Sequence, residues 1–232
     1  MRNPGNTQQV VNISGLTITQ GNSSGNGGGI ENIENLTLSN STVSGNLAGG
    51  FSGGIFNVGG TTNISSSIIS GNSATSGDEV YSNSGTVTAD NNNLFGNSSQ
   101  SNSDAFVNFT SGANDINATT DGENVALDNI LDPDGLQDNG GSTKTIALVT
   151  DSPAINAGNN DDNLSTDQRG TGFERVINQQ VDIGAYEWSI FELEVNTSRG
   201  DKPVKTLIER GFQPWRSLYK LSKTRGLIEN KQ

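Results

Sequence analysis

The 232-residue chain contains no cysteine and no histidine. The first absence excludes disulfides and thiolate metal sites, and the second removes the commonest general base and metal ligand. Basic residues are almost missing from most of the chain. Residues 1–197 carry 22 acidic side chains and only 4 basic ones (Arg2, Lys144, Arg169 and Arg175), a net of −18. Residues 198–232 reverse the balance with 3 acidic and 9 basic side chains, a net of +6, so the total is −12. An acidic body repels nucleic acid and anionic lipid, and neither is expected as a partner. Large apolar side chains are scarce too, with 30% of residues hydrophobic and 6% aromatic, too few for an ordinary globular core. No run approaches the roughly 20 apolar residues of a membrane helix. No secretory signal is visible, because Met1 leads straight into polar repeat sequence, and a missing N-terminus is the expected reason.

What the chain does have is glycine, asparagine, serine and threonine in a repeating order. Gly-Asn closes a short β-like run four times, at Asn22, Asn46, Asn72 and Asn97, with intervals of 24, 26 and 25 residues. A second marker follows in the next few residues: GGGI ending at Ile30, SGGI at Ile55 and GDEV at Val80. A third is a short alternating run, LTLSN at 36–40, TNISS at 62–66 and TVTAD at 86–90. Each period of about 25 residues therefore holds about three short strands joined by Gly, Asn and Ser turns. Apolar residues alternate with small polar ones, the period of two expected when one strand face is buried. One coil cannot bury its apolar face alone, but stacked coils cover one another.

These features predict an all-β chain folded as a right-handed parallel β-helix. The leucine-rich solenoid, its competitor, needs an L-x-x-L-x-L-x-x-N frame that is absent. Coils are expected over residues 1–115, a loop-rich C-terminal capping module over 116–190, and a basic tail over 191–232. Asn22, Asn46, Asn72 and Asn97 are expected to stack as a structural amide ladder. The preceding glycines are expected to supply positive φ or close backbone approach. An open first coil exposes a sheet edge, so residues 1–20 are expected to fray or to drive end-to-end self-association. In the tail, Ile208, Leu218 and Leu221 hint at short helices, and a disordered extension is the alternative.

Four motifs follow in order after the repeat fades: QDNGGSTKTIAL at 137–148, DSPAINAG at 151–158, TDQRG at 166–170 and VDIGAYE at 181–187. This set resembles the C-terminal module of bacterial choice-of-anchor Q domain proteins, relatives of the polymorphic outer-membrane-type repeat proteins. The TLSNSTVSGN and GGGIEN strings resemble that group's coils. The resemblance implies a secreted or cell-surface β-helix closed by this module. It carries no catalytic residues with it. From the residues themselves, Asp167, Arg169, Arg175 and Asp182 are candidates for structural pairs, with an arginine held by Asp182 or Asp167 through its planar fork. Ile155 and Ala154 are placed to cover the last coil.

Enzymatic chemistry finds little to work with. Many parallel β-helices cleave acidic polysaccharides, which needs a base and cations facing the sugar acid. No Lys or Arg occurs between residues 3 and 143. Hydrolysis needs two spaced carboxylates, but Asp78, Glu79 and Asp90 read as solvated loop residues. Asp132, Asp134 and Asp138 gather three carboxylates around a turn and form a weak Ca²⁺ candidate; no other cofactor is expected. Asn-x-Ser/Thr sequons such as those at Asn35 and Asn108 are expected by chance in this composition. Ice binding would require regular T-x-T rows, and only Thr17/Thr19 and Thr86/Thr88 supply them. The expected function is a non-enzymatic extracellular or cell-surface protein, adhesin-like or structural, with a surface glycan or protein as ligand. A carbohydrate-binding or polysaccharide-degrading β-helix is the alternative.

Overall fold

Every repeat returns the backbone to the same place one rung along. A computed structural model describes residues 8–89, 91–195 and 204–210. It shows parallel sheets stacked as a β-solenoid of about four coils. The first sheet is built from Val10–Ser14, Asn35–Ser39, Thr61–Ser65 and Thr86–Ala89. The second contains Thr17–Ile18, Thr42–Val43, Ile68–Ile69, Leu94–Phe95 and Ile116–Asn117. The third contains Ile30–Asn32, Ile55–Asn57, Val80–Ser82 and Phe106–Val107. Parallel register pairs Val10 with Asn35, Leu36 with Thr62 and Ile68 with Leu94, which are the 25- and 26-residue steps of the repeat. A minor fourth pairing joins Asn22–Ser23 to Leu47–Ala48.

Alternation along each strand decides what enters the core. Leu38, Val43, Ile55, Ile64, Ile69, Val80 and Phe95 form one buried interior cluster, all at 3% exposure or less. Each such side chain contributes roughly 1.5–3 kcal/mol on burial, and the stacking places it directly over its counterpart in the next coil. The turn between the first and second sheets repeats a left-handed residue: Gly15, Asn40, Ser66 and Asn92 all have positive φ, between 48° and 64°. Glycine and asparagine tolerate that conformation. Ser66 is held in it by two hydrogen bonds, one accepted from Asn159 N and one donated to Asn159 O.

Beyond the last full coil the interior ends in an edge-on trio, Phe95, Phe106 and Phe109, with ring centroids 5.1–6.2 Å apart. A single helical turn, Asn102–Ala105, sits beside it behind a Ser101/Asp104 capping box. At the opposite end Val10–Ser14 pairs on one side only, and Val10, Val11 and Leu16 are exposed.

Of the expected module 116–190, Ile116–Asn117 adds a rung to the second sheet over the last coil, and residues 125–188 lie along the flank. Ile68, Leu94 and Ile116 point outward from the second sheet into a cluster with Ile130, Leu131, Ile146, Leu148, Ala154, Ile183 and Tyr186, and Ile155 packs against its edge. Polar ties cross several coils: Ala185 N to Thr42 Oγ1, Gly184 N to Ser66 O, Thr17 Oγ1 to Gln168 Oε1, and Asn92 Nδ2 to Ala157 O. The cause is local sequence. Ile68-Ile69 and Leu94-Phe95 are apolar at consecutive positions, so the second sheet must be covered on both faces. Within the module Leu131–Gln137 pairs antiparallel with Thr145–Leu148 across a bulge.

Tail residues 189–195 and 204–210 pair as an antiparallel hairpin, so Ile208 lies in a strand rather than a helix. The β-branched residues Val204, Thr206 and Ile208 suit a strand. Leu218 and Leu221 lie outside the described residues. Among the described residues no helix is long and apolar enough to cross a membrane.

Candidate functional site

The four Gly-Asn asparagines share a turn position but not a continuous ladder. Gly45, Gly71 and Gly96 take positive φ of 69°, 76° and 70°. Gly21 instead meets close approach, because a Cβ there would lie 2.0 Å from Gly28 O. Asn46 and Asn72 are buried and joined, with Asn46 Nδ2 donating to Asn72 Oδ1 at 2.9 Å. Asn22 is exposed, and Gly21 N takes the Asn46 Oδ1 in its place at 2.9 Å. Asn97 turns its amide to Gln100 at 3.3 Å. The expected four-rung ladder is thus a two-rung one, because Gly21 N takes the Asn46 oxygen at one end and a carboxylate takes the Asn72 amide at the other.

That carboxylate is Glu79, which is completely buried rather than solvated. It accepts from Gly71 N at 2.9 Å, from Asn72 N at 3.3 Å and from Asn72 Nδ2 at 2.6 Å. Burial pushes its carboxyl up from 4.5 to about 8, against the pull of the Asn72 and Gly71 donors; Asp78 nearby adds to the rise. Asp78 is half-buried and occupied by Ala74 N and Gln100 Nε2. Asp90 lies outside the described residues. Two further ladders escaped the sequence reading. In one, Asn32 Nδ2 donates to Asn57 Oδ1 and Asn57 Nδ2 to Ser84 O, both at 2.9 Å. In the other, Leu16 N donates to Ser41 Oγ, Ser41 N to Ser67 Oγ, and Ser67 N to Asn93 Oδ1. The signal for the first was the residue two places after each GGI marker.

The module's charged residues do meet, with one exchange of partners. Arg169 grips Asp167 with Nε at 2.9 Å and Nη2 at 2.5 Å, and lies between the rings of Phe173 and Tyr186, 4.1 and 3.9 Å from their centroids. Such a stack on two aromatic faces suits a guanidinium. Arg175 pairs at 2.9 Å with Glu187, which sequence reasoning did not single out. It reaches Asp182 only through the backbone carbonyl, at 2.9 Å, and ties the module to the solenoid through Asn40 Oδ1 at 2.7 Å. The Asp182 carboxylate accepts from Asn156 N and Trp188 N instead. Burial raises Glu187 to about 9 and raises Asp182, while the Arg175 cation opposes both shifts. Burial likewise lowers the proton affinity of Arg175 itself. With nearly all their surface removed from solvent, these groups are structural.

The calcium candidate does not assemble. Asp132 and Asp138 each cap a local backbone N–H, those of Asp134 and Gly140. The strand Leu131–Gln137 spreads Asp132 and Asp134 along its length and leaves Asp138 beyond its end. Among the described residues no group of three or more acidic side chains is placed to hold a metal ion.

Side chains facing outward remain. On the first sheet the register aligns Asn12, Thr37, Asn63 and Thr88 in one column and Ser14, Ser39 and Ser65 in the next, all uncharged. The Asp162 carboxylate lies at the rim, accepting from Ser14 Oγ, Ser39 Oγ and Asn40 Nδ2. On the third sheet the outward column is Glu31, Phe56, Tyr81 and Val107, and Phe51 from the preceding loop folds against it. Ring centroids are 4.7 Å apart for Phe51 and Tyr81, 5.4 Å for Phe56 and Tyr81, and 6.2 Å for Phe51 and Phe56. The coil register brings these three rings together, with Phe56 buried and Phe51 exposed.

No protein-family model, curated protein or solved structure matches the chain. The likeness to choice-of-anchor Q proteins therefore stands on the quoted motifs alone.

Proposed function

We propose that this chain is a non-enzymatic β-solenoid that works outside the cell or on its surface, as an adhesin-like or structural scaffold with polar outer faces. The observation that supports this reading is where the perturbed acids and bases lie. Catalytic groups are tuned by burial in a cleft that a substrate can enter. Here Glu79, Asp182, Glu187 and Arg175 are each 1% exposed or less and are occupied by backbone and side-chain partners. The outward columns of the first sheet, by contrast, are Asn, Ser and Thr, which bind through many weak hydrogen bonds rather than through proton transfer. The test is product analysis: the purified chain is incubated with acidic and neutral polysaccharides, and the supernatants are examined for shortened or unsaturated fragments. Unchanged polymers support the scaffold reading, and fragments that increase with protein concentration overturn it.

A further inference from the structure

The outer face of the third sheet carries the only described aromatic cluster that reaches solvent across consecutive coils. Phe51 is 40% exposed, Tyr81 is half-buried, and Phe56 at 4% forms the floor beneath them. The loop that presents Phe51 is held on both sides. Phe51 N donates to Asn26 Oδ1 at 2.8 Å and its carbonyl accepts from Gly27 N at 2.9 Å in the coil before; Phe51 also bridges to Ser76 in the coil after. Tyr81 lies over Gly77, where an added Cβ would come within 3.1 Å of the ring. The rings are thus fixed in place before any ligand arrives, which lowers the cost of binding.

Size and charge select the occupant. With Phe51 40% exposed, the open aromatic area is on the order of 100 Å². That is far below the roughly 800 Å² per partner of a stable protein interface, so the rings alone do not make one. The area matches one face of a sugar ring, whose C–H bonds pack on the negative face of an aromatic while its hydroxyls reach out sideways. Asn26, Ser76 and Glu31 border the rings and offer such hydroxyls acceptors and donors. The chain from residue 3 to 143 has no Lys or Arg, and Glu31 shares the column with Phe56. A uronate or sulfated sugar would find no cation and a repelling carboxylate.

The geometry points to a binding platform for an uncharged glycan on Phe51 and Tyr81, backed by Phe56, with the glycan chain running along the stacked coils. This assignment rests on the scaffold reading above and gives it a ligand class. The experiment is calorimetric titration of the full chain with neutral oligosaccharides of the glucan, xylan, mannan and chitin types, and with oligogalacturonate. Saturable binding of at least one neutral series is expected, with no binding of oligogalacturonate. Phe51→Ala and Tyr81→Ala should each weaken it about tenfold, the size of one lost ring stack. Val176→Ala, which removes an exposed side chain on the C-terminal module, should leave binding unchanged. Circular dichroism of each variant checks the fold, and Tyr81→Phe, which keeps the ring, should retain most of the affinity. Silence with every neutral series, equal affinity in the Phe51 and Tyr81 variants, or preference for oligogalacturonate would overturn the platform. Those results leave the scaffold reading standing, whereas cleavage products would overturn that reading whether or not sugar binds.

Discussion

Replacing Glu79 with glutamine isolates the most unusual electrostatic feature of the solenoid. In the folded chain burial lifts this carboxyl from 4.5 to about 8, so the folded state holds its proton more tightly than the unfolded state does. The sign follows directly. The contribution to stability is complete below pH 4.5, falls as pH rises from 4.5 to about 8, and stays lost above that. At about 1.4 kcal/mol for each tenfold change in proton affinity, ionising Glu79 in place costs up to about 5 kcal/mol. Glutamine has nearly the shape of the protonated acid, but its amide nitrogen cannot accept, so one of the Gly71 and Asn72 donors that the acid's two oxygens receive is left unpaired. Glu79→Gln should therefore lie about 1–3 kcal/mol below the wild type at pH 5, and the difference should move in favour of the glutamine variant by several kcal/mol between pH 5 and pH 9. Glu187 and Asp182, also raised by burial, destabilise both proteins alike and cancel in the difference. Urea unfolding at pH 5, 7 and 9, followed by far-ultraviolet circular dichroism, measures it. A gap between the two proteins that stays constant from pH 5 to 9 would refute the reasoning.

The remaining predictions concern how the module is pinned and how the coils are laddered. Arg175→Met leaves Glu187 and Asn40 Oδ1 without their cation, and should cost about 3–5 kcal/mol in a urea midpoint shift; an effect below 1 kcal/mol would show that the pair does not hold the module. Asn46→Ala leaves Gly21 N without its acceptor and removes one of the two hydrogen bonds to Asn72 Oδ1, and should cost about 1–3 kcal/mol, whereas Asn22→Ala at an exposed site should stay within about 0.5 kcal/mol. Equal losses in the same assay would restore the uninterrupted four-rung ladder.

The coil spacing was legible because each marker recurs once per turn of the solenoid: Asn35 to Thr61 to Thr86 is the register of the first sheet and also a count along the chain. The interior side chains were legible for the same reason, since Leu36, Leu38 and Ile64 keep the period of two. Flank packing was only half-legible. The pairs Ile68-Ile69 and Leu94-Phe95 signal a sheet buried on both faces, but not that residues 125–188 supply the cover. Glu79 misled, because an acid in a Gly-rich turn usually faces water. Here the open position beside Asn72, with its ring of N–H donors, draws the side chain inward.

By itself, the sequence determined the repeat, the strand faces and the charge deficit, because these depend on residues near one another along the chain and on composition. Only the tertiary structure decided which groups separated by tens of residues share a surface. Stacking brought Phe51, Phe56 and Tyr81 into one cluster, exchanged Asp182 for Glu187 beside Arg175, and separated Asp132, Asp134 and Asp138. The reason is physical: a coil carries its own periodicity, whereas contacts between coils and module depend on how far each side chain reaches once the backbone has stacked.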